Sequence, residues 1–148
     1  MYFENIEKIK FEGVNSKNPL SFKYYDATKI VAGKKMSEHL KFAMSYWHTM
    51  CGDGTDMFGR GTIDKSFGGK TPMEIAVNKV YASFELMEKL GIEYFCFHDR
   101  DIAPEGATLK ETNDNLDKIV PIIKSEMERT GIKLLWGTAN CFNNPRYM

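Results

Sequence analysis

The chain has 148 residues and a mass of 17.0 kDa, and its 20 Lys and Arg balance 20 Asp and Glu, for a formal charge of zero. That balance excludes nucleic-acid binding driven mainly by charge, and a content of 43% hydrophobic and 13% aromatic residues excludes an acidic disordered chain. No run approaches the roughly 20 apolar residues of a membrane span, and Glu4 and Glu7 stand where a signal peptide needs a basic start. Neither a membrane nor a nucleic acid is therefore expected as a partner.

Residues 1–39 are expected to form an irregular arm that packs on something larger. Phe3, Ile6, Ile9 and Phe11 are apolar, but Gly13, Asn15, Ser16, Asn18 and Pro19 interrupt any pattern. Residues 26–33 are expected as one short helical turn ending at Gly33, residues 36–39 as a second turn, and residues 29–35 as a solvated face. The near-continuous apolar run at residues 40–48 predicts a strand covered on both faces. Residues 49–70 form a long loop with glycines at 52, 54, 59, 61, 68 and 69. Long ordered loops tend to carry function.

Thr71, Pro72 and Glu74 make a helix start, with a cap, a first-position proline and a capping box. Met73, Val77, Val80, Phe84 and Met87 then mark one buried helical face, and Gly91 ends the helix. Residues 92–97 predict a second strand, which runs into His98-Asp99-Arg100-Asp101 and a turn at Pro104 and Gly106. A second helix is expected from about residue 110 to 130. Leu116, Ile119, Val120, Ile123 and Met127 form its buried stripe, Pro121 kinks it, and Gly131 ends it. Residues 132–136 predict a third strand.

The order β-α-β-α-β predicts a parallel sheet. Three such strands leave two open edges and too few helices to cover both faces. The chain is either a small open sheet or the first three strands of something longer, and its stop in a loop after the third strand favours the second.

Sites in parallel α/β folds form at the carboxyl ends of strands. Here those ends carry Trp47-His48, His98 to Asp101, and Trp136-Gly137-Thr138 followed by Asn140-Cys141-Phe142. His98 with Asp101 is the sharpest pair. A carboxylate beside an imidazole fixes its tautomer and suits it to proton transfer, although a polar turn after a strand explains the same residues. Trp47, Trp136, Phe58 and Phe142 are either core or pocket wall; sugars stack on aromatic faces, and two tryptophans at strand ends favour a wall. Residues 68–71, Gly-Gly-Lys-Thr, echo a phosphate loop without its full pattern. Cys51, Cys96 and Cys141 are odd in number and widely spaced, which fits reduced thiols in a cytoplasmic protein, with Cys96 inert in its strand.

Four segments taken together, Tyr46-Trp47-His48-Thr49, residues 54–59, residues 94–101 and residues 134–140, resemble the longer-armed class of bacterial xylose isomerase, and the likeness extends through the arm and through residues 144–148. The resemblance implies an α/β fold: the first three strands of a (β/α)8 TIM barrel, left incomplete, with residues 1–39 as the N-terminal arm and 40–148 as the start of the barrel domain. It implies a homotetramer that interconverts D-xylose and D-xylulose, and D-glucose and D-fructose, using two divalent cations (Mg2+, Mn2+ or Co2+). It implies that His98 binds the sugar ring oxygen and assists ring opening, that Asp101 orients His98, and that a hydride then moves from C2 to C1. Trp47 and Phe142 would line the apolar wall. Trp136 and Thr138 would shape the end of the pocket, Phe58 would reach a neighbouring subunit, and Asp56 would stay close to His98. Metal ligands are expected beyond Met148, so none is assigned here and the isolated chain is expected to be inactive. Two other readings stay open: a non-catalytic assembly piece, and a different divalent-metal barrel enzyme.

Overall fold

The computed structural model describes residues 1–142; residues 144–148, which share in the resemblance, lie outside the described residues. Ala43–Ser45 (β3), Tyr94–His98 (β4) and Lys133–Thr138 (β5) form a parallel sheet with β4 in the middle. Pro72–Leu90 (α2) and Leu109–Thr130 (α4) are the crossovers, and Asp99–Ile102 (α3) is a single turn directly after β4. The alternation expected from the sequence is therefore present.

Both long helices start and stop for local reasons. Thr71 Oγ1 accepts the Glu74 N–H at 3.2 Å, while the Glu74 carboxylate accepts the N–H groups of Thr71 and Lys70 at 3.1 and 2.9 Å. Helix α4 begins one residue earlier than expected, because Thr108 Oγ1 accepts the Glu111 N–H at 3.1 Å. Gly91 and Gly131 end the helices at φ of 69° and 75°, a left-handed backbone that costs glycine nothing. Val80, Phe84 and Met87 are buried as expected, with Met73 and Val77 half-buried. In α4, Ile119 and Ile123 are buried and Leu116, Val120 and Met127 half-buried. The helix runs through Pro121, which lies exposed.

Two contacts set the layers. The Phe84 ring from α2 meets Phe95 of β4 edge-on at 5.4 Å, and burying each such side chain contributes about 1.5–3 kcal/mol. Arg129 of α4 reaches the carboxylates of Glu126 and Glu88 at 2.7 and 2.8 Å, which clamps α4 to α2 and satisfies the otherwise buried Glu126. On the far side β5 is exposed along its whole length, Leu134, Leu135 and Trp136 included.

Three expectations are corrected. The strand expected over residues 40–48 is only Ala43–Ser45, and the chain then enters a π-helical turn, Trp47–Cys51. Met44 and Tyr46, two apart, bury as strand residues do, but the next buried residue is Met50, four further on. The period changes inside one apolar run. Residues 26–33 form no helical turn. Ile30–Val31 (β1) and Lys34–Lys35 (β2) pair antiparallel around Ala32 and Gly33, whose φ values of 47° and 80° belong to a two-residue hairpin. Strands β4 and β5 each extend two residues or fewer past their expected ends, so His98 is the last residue of β4 and Thr138 the last of β5.

The second expected turn is present as Met36–His39 (α1), capped by the Glu38 carboxylate on the Lys35 N–H at 2.7 Å. The arm is fastened to α2. The Glu85 carboxylate accepts the N–H groups of Tyr2 and Phe3 at 2.7 and 3.2 Å, the Ile9 N–H donates to the Lys89 carbonyl at 2.8 Å, and the Lys89 ammonium donates to the Ile6 carbonyl.

Candidate active site

The site grows from the carboxyl end of β4. His98 ends the strand in an extended conformation and caps α3. One carboxylate oxygen then performs two tasks: Asp101 Oδ2 accepts the His98 backbone N–H at 2.7 Å and lies 3.1 Å from His98 Nδ1. A carboxylate can only accept, so the proton is assigned to Nδ1. His98 Nε2 has no hydrogen-bond partner among the described residues and, in the neutral ring, carries the lone pair. The side chains of His98 and Asp101 are 20% and 11% exposed, so the pair sits at the edge of the core rather than within it.

Two tryptophans pack against the imidazole and against each other. Trp47, delivered by the π turn rather than by a strand end, has its ring centroid 4.8 Å from that of His98. Trp136, from β5, lies 5.6 Å from His98 and 5.5 Å from Trp47, with the two indoles inclined at 33°. The three rings form a wall that is half open, Trp136 being 40% exposed. Thr138 pairs in register with His98 and so stands at the same end of the sheet. Asp99 Oδ1 accepts the N–H groups of Arg100 and Asn140 at 2.8 and 2.9 Å, which ties the exit of β5 to the turn after β4. Arg100 pairs with Glu105 at 3.0 Å.

The other site residues stand apart from this wall. Asp56 Oδ1 accepts the N–H groups of Phe58 and Gly59 at 2.8 and 3.2 Å, so its carboxylate is committed to its own loop and makes no hydrogen bond to His98. Phe58 is 90% exposed and Phe142 83% exposed. Neither ring meets His98, Trp47 or Trp136 among the described residues. His48 is exposed beside Trp47. His39 is exposed and bonds to the Val31 carbonyl at 2.8 Å. Cys96 is buried in β4, and burial pushes its thiol up from the ordinary value, as an inert cysteine requires.

Sequence reasoning missed what lies behind the pair. Cys51 ends the π turn with its Sγ 3.5 Å from the Asp101 carbonyl, and the Lys79 ammonium of α2 reaches both Cys51 Sγ, at 3.4 Å, and that carbonyl, at 3.5 Å. No sequence signal set Lys79 apart, because its partners lie 28 and 22 residues away.

A groove of about 750 Å3 is found away from this wall. It lies at the amino ends of the strands, lined by residues such as Lys41, Glu93 and Lys133. Among the described residues no three His, Cys, Asp or Glu side chains converge to hold a metal ion, and no helix is long and apolar enough to cross a membrane.

No family model matches the chain. Over 148 residues it is 56% identical to a protein of Enterococcus faecalis named xylose isomerase, covering 100% of this chain and 34% of the relative. It is 55% identical over 147 residues to one of Listeria welshimeri and 53% identical over 148 residues to one of Thermoanaerobacterium saccharolyticum, covering 99% of this chain and 34% of each relative. The chain thus spans about a third of the length of the curated relatives it matches.

Proposed function

We propose that this chain, homologous over its whole length to part of the xylose isomerases, forms one wall of the active site of an aldose–ketose isomerase. The reaction is D-xylose to D-xylulose, with D-glucose to D-fructose as the hexose counterpart. One observation carries the reading: an imidazole with Nδ1 held by a carboxylate packs against two adjoining indoles at the carboxyl end of parallel strands.

That arrangement suits a cyclic sugar. The indoles offer an apolar surface to the C–H face of the ring and exclude water from it. His98 Nε2, turned away from Asp101, is the nitrogen available to the ring oxygen. Protonated, it delivers its proton to that oxygen as the C1–O bond breaks, while the anomeric hydroxyl loses a proton to water and becomes the aldehyde. The imidazole stays oriented because Asp101 Oδ2 is itself anchored by the His98 N–H. A hydride then moves from C2 to C1 as the O2 proton passes to O1, which completes the ketose without an external oxidant.

The two divalent cations that the resemblance implies, Mg2+, Mn2+ or Co2+, polarise the substrate oxygens when bound. The described residues do not fit them, and their ligands belong elsewhere in the enzyme. The reading places β3, β4 and β5 as the first strands of the TIM barrel, residues 1–39 as its arm, and Thr138 and Phe142 at the pocket rim. Phe58, at an exposed loop tip, would enter a neighbouring subunit of a homotetramer in the cytoplasm, with Asp56 rigidifying that tip. Alone, the 148-residue chain is expected to give no turnover.

The test is ketose formation from D-xylose with Mg2+ by the protein that carries this chain together with the remainder seen in its relatives. His98→Ala should abolish most of the activity. A fully active His98→Ala protein would refute the assignment.

A further inference from the structure

We infer that Lys79 of α2 is a positioning residue that locks the Asp101 turn to the π turn and so sets both the His98–Asp101 pair and the Trp47 wall. Lys79 does not touch the imidazole. Its ammonium reaches the backbone carbonyl of Asp101 at 3.5 Å and Cys51 Sγ at 3.4 Å, and the Cys51 thiol donates to the same carbonyl at 3.5 Å. The three groups close a triangle. One corner is the residue whose carboxylate holds His98, and another is the last residue of the π turn that begins at Trp47.

Several features single this lysine out. Among the described residues its ammonium forms no ion pair with a carboxylate, so it is not a surface salt bridge that happens to lie nearby. It is half-buried, where a charge is retained only against good acceptors. Tyr46, 1% exposed, is buried beside Ser83 and close enough to Cys51 and Asp101 to interact with them electrostatically, so the triangle lies next to the core. The π turn is an uncommon conformation, frequent at functional sites, and here side chains hold it. Lys79, together with Lys65 on the Thr49 carbonyl at 3.0 Å, supplies that hold. A long flexible donor bonded to backbone and thiol fixes the turns without competing for the Asp101 carboxylate.

The consequence for turnover rests on the isomerase reading; the geometry does not. Two measurements separate them, both on the longer protein that carries this chain. The first is turnover of D-xylose. Lys79→Met keeps the stem and removes the donor. It should lower kcat by about tenfold with a smaller change in KM, within the roughly hundredfold that an ångström of misplacement can cost. Lys79→Arg, which keeps a charged donor, should recover most of the loss. The second needs no turnover: the hydrogen-bonded Nδ1 proton of His98, observed by NMR with isotope-labelled histidine and assigned by its absence in His98→Asn. It should weaken or move upfield in Lys79→Met and return in Lys79→Arg. If the wild type isomerises nothing while this signal responds as stated, the isomerase reading fails and the positioning role stands. An unchanged signal in folded Lys79→Met, or a loss of activity that Lys79→Arg does not repair, overturns the inference.

Discussion

Asp101→Asn changes one charge and almost no shape, and the structure gives its cost. A single oxygen, Oδ2, accepts both the His98 backbone N–H at 2.7 Å and the Nδ1 proton at 3.1 Å. Bonds to a charged acceptor contribute roughly 1.5–3 kcal/mol and neutral ones about 1. Neutralising the acceptor therefore costs about 1 kcal/mol per bond, or about 2 kcal/mol in all. If the transition state feels the whole loss, kcat/KM for D-xylose falls roughly 30-fold, at about 1.4 kcal/mol per factor of ten. The loss is larger if the amide turns its NH2 to Nδ1, because a donor there opposes a proton on Nδ1 and so disfavours the imidazolium that delivers its proton from Nε2. Asp101→Ala should show the same kinetic defect. It should also lose about 1 kcal/mol of stability, since the α3 cap goes with it. Steady-state kinetics and denaturant unfolding on the same preparations separate the two. An Asp101→Asn protein within twofold of the wild type would refute the claim that the carboxylate orients the imidazole.

Two further outcomes follow from packing and titration. A Cβ on Gly137 would lie 2.9 and 3.0 Å from Phe97 Cε2 and Cζ, so Gly137→Ala must push the Phe97 ring against Phe95, 6.0 Å away; a loss of about 1–3 kcal/mol in denaturant unfolding is expected, and an unchanged midpoint would contradict the packing. Burial pushes the Glu85 carboxyl up, but the Tyr2 and Phe3 N–H donors and Lys89 outweigh it and hold it below the ordinary carboxylate range. A depressed carboxylate contributes stability that is complete above its unfolded value of about 4.3 and lost as pH falls through the folded value. The arm should therefore loosen from α2 only in acid, read as faster amide exchange at Tyr2 and Phe3, and Glu85→Gln should loosen it already at neutral pH.

Much of this was legible because local chemistry and tertiary structure agree. Thr71 with Glu74, and Gly91, bracket α2 by capping rules alone, and the Val80–Phe84–Met87 spacing names the face that packs on Phe95. The pair of His98 and Asp101 was legible for the same reason, since three residues of separation at a strand end is the spacing of a capping box. The π turn was not. Trp47 to Cys51 continues an apolar run without a breaker, and only the step from Tyr46 to Met50 betrays a helical period. Ala32-Gly33 was ambiguous because a glycine with positive φ serves a helix end and a hairpin equally. Lys79 was invisible because its partners, a thiol and a carbonyl, are brought to it by tertiary packing from 28 and 22 residues away.

If His98 acts at the ring oxygen of a cyclic sugar, a substrate without a ring should not need it. In the longer protein, His98→Asn should be compared with the wild type on D-xylose and on D-glyceraldehyde, an aldose too short to close such a ring. A large loss of kcat/KM on D-xylose and near wild-type turnover of the open-chain aldehyde are expected. Equal losses on both would contradict this role and move His98 from ring opening to the isomerisation step itself.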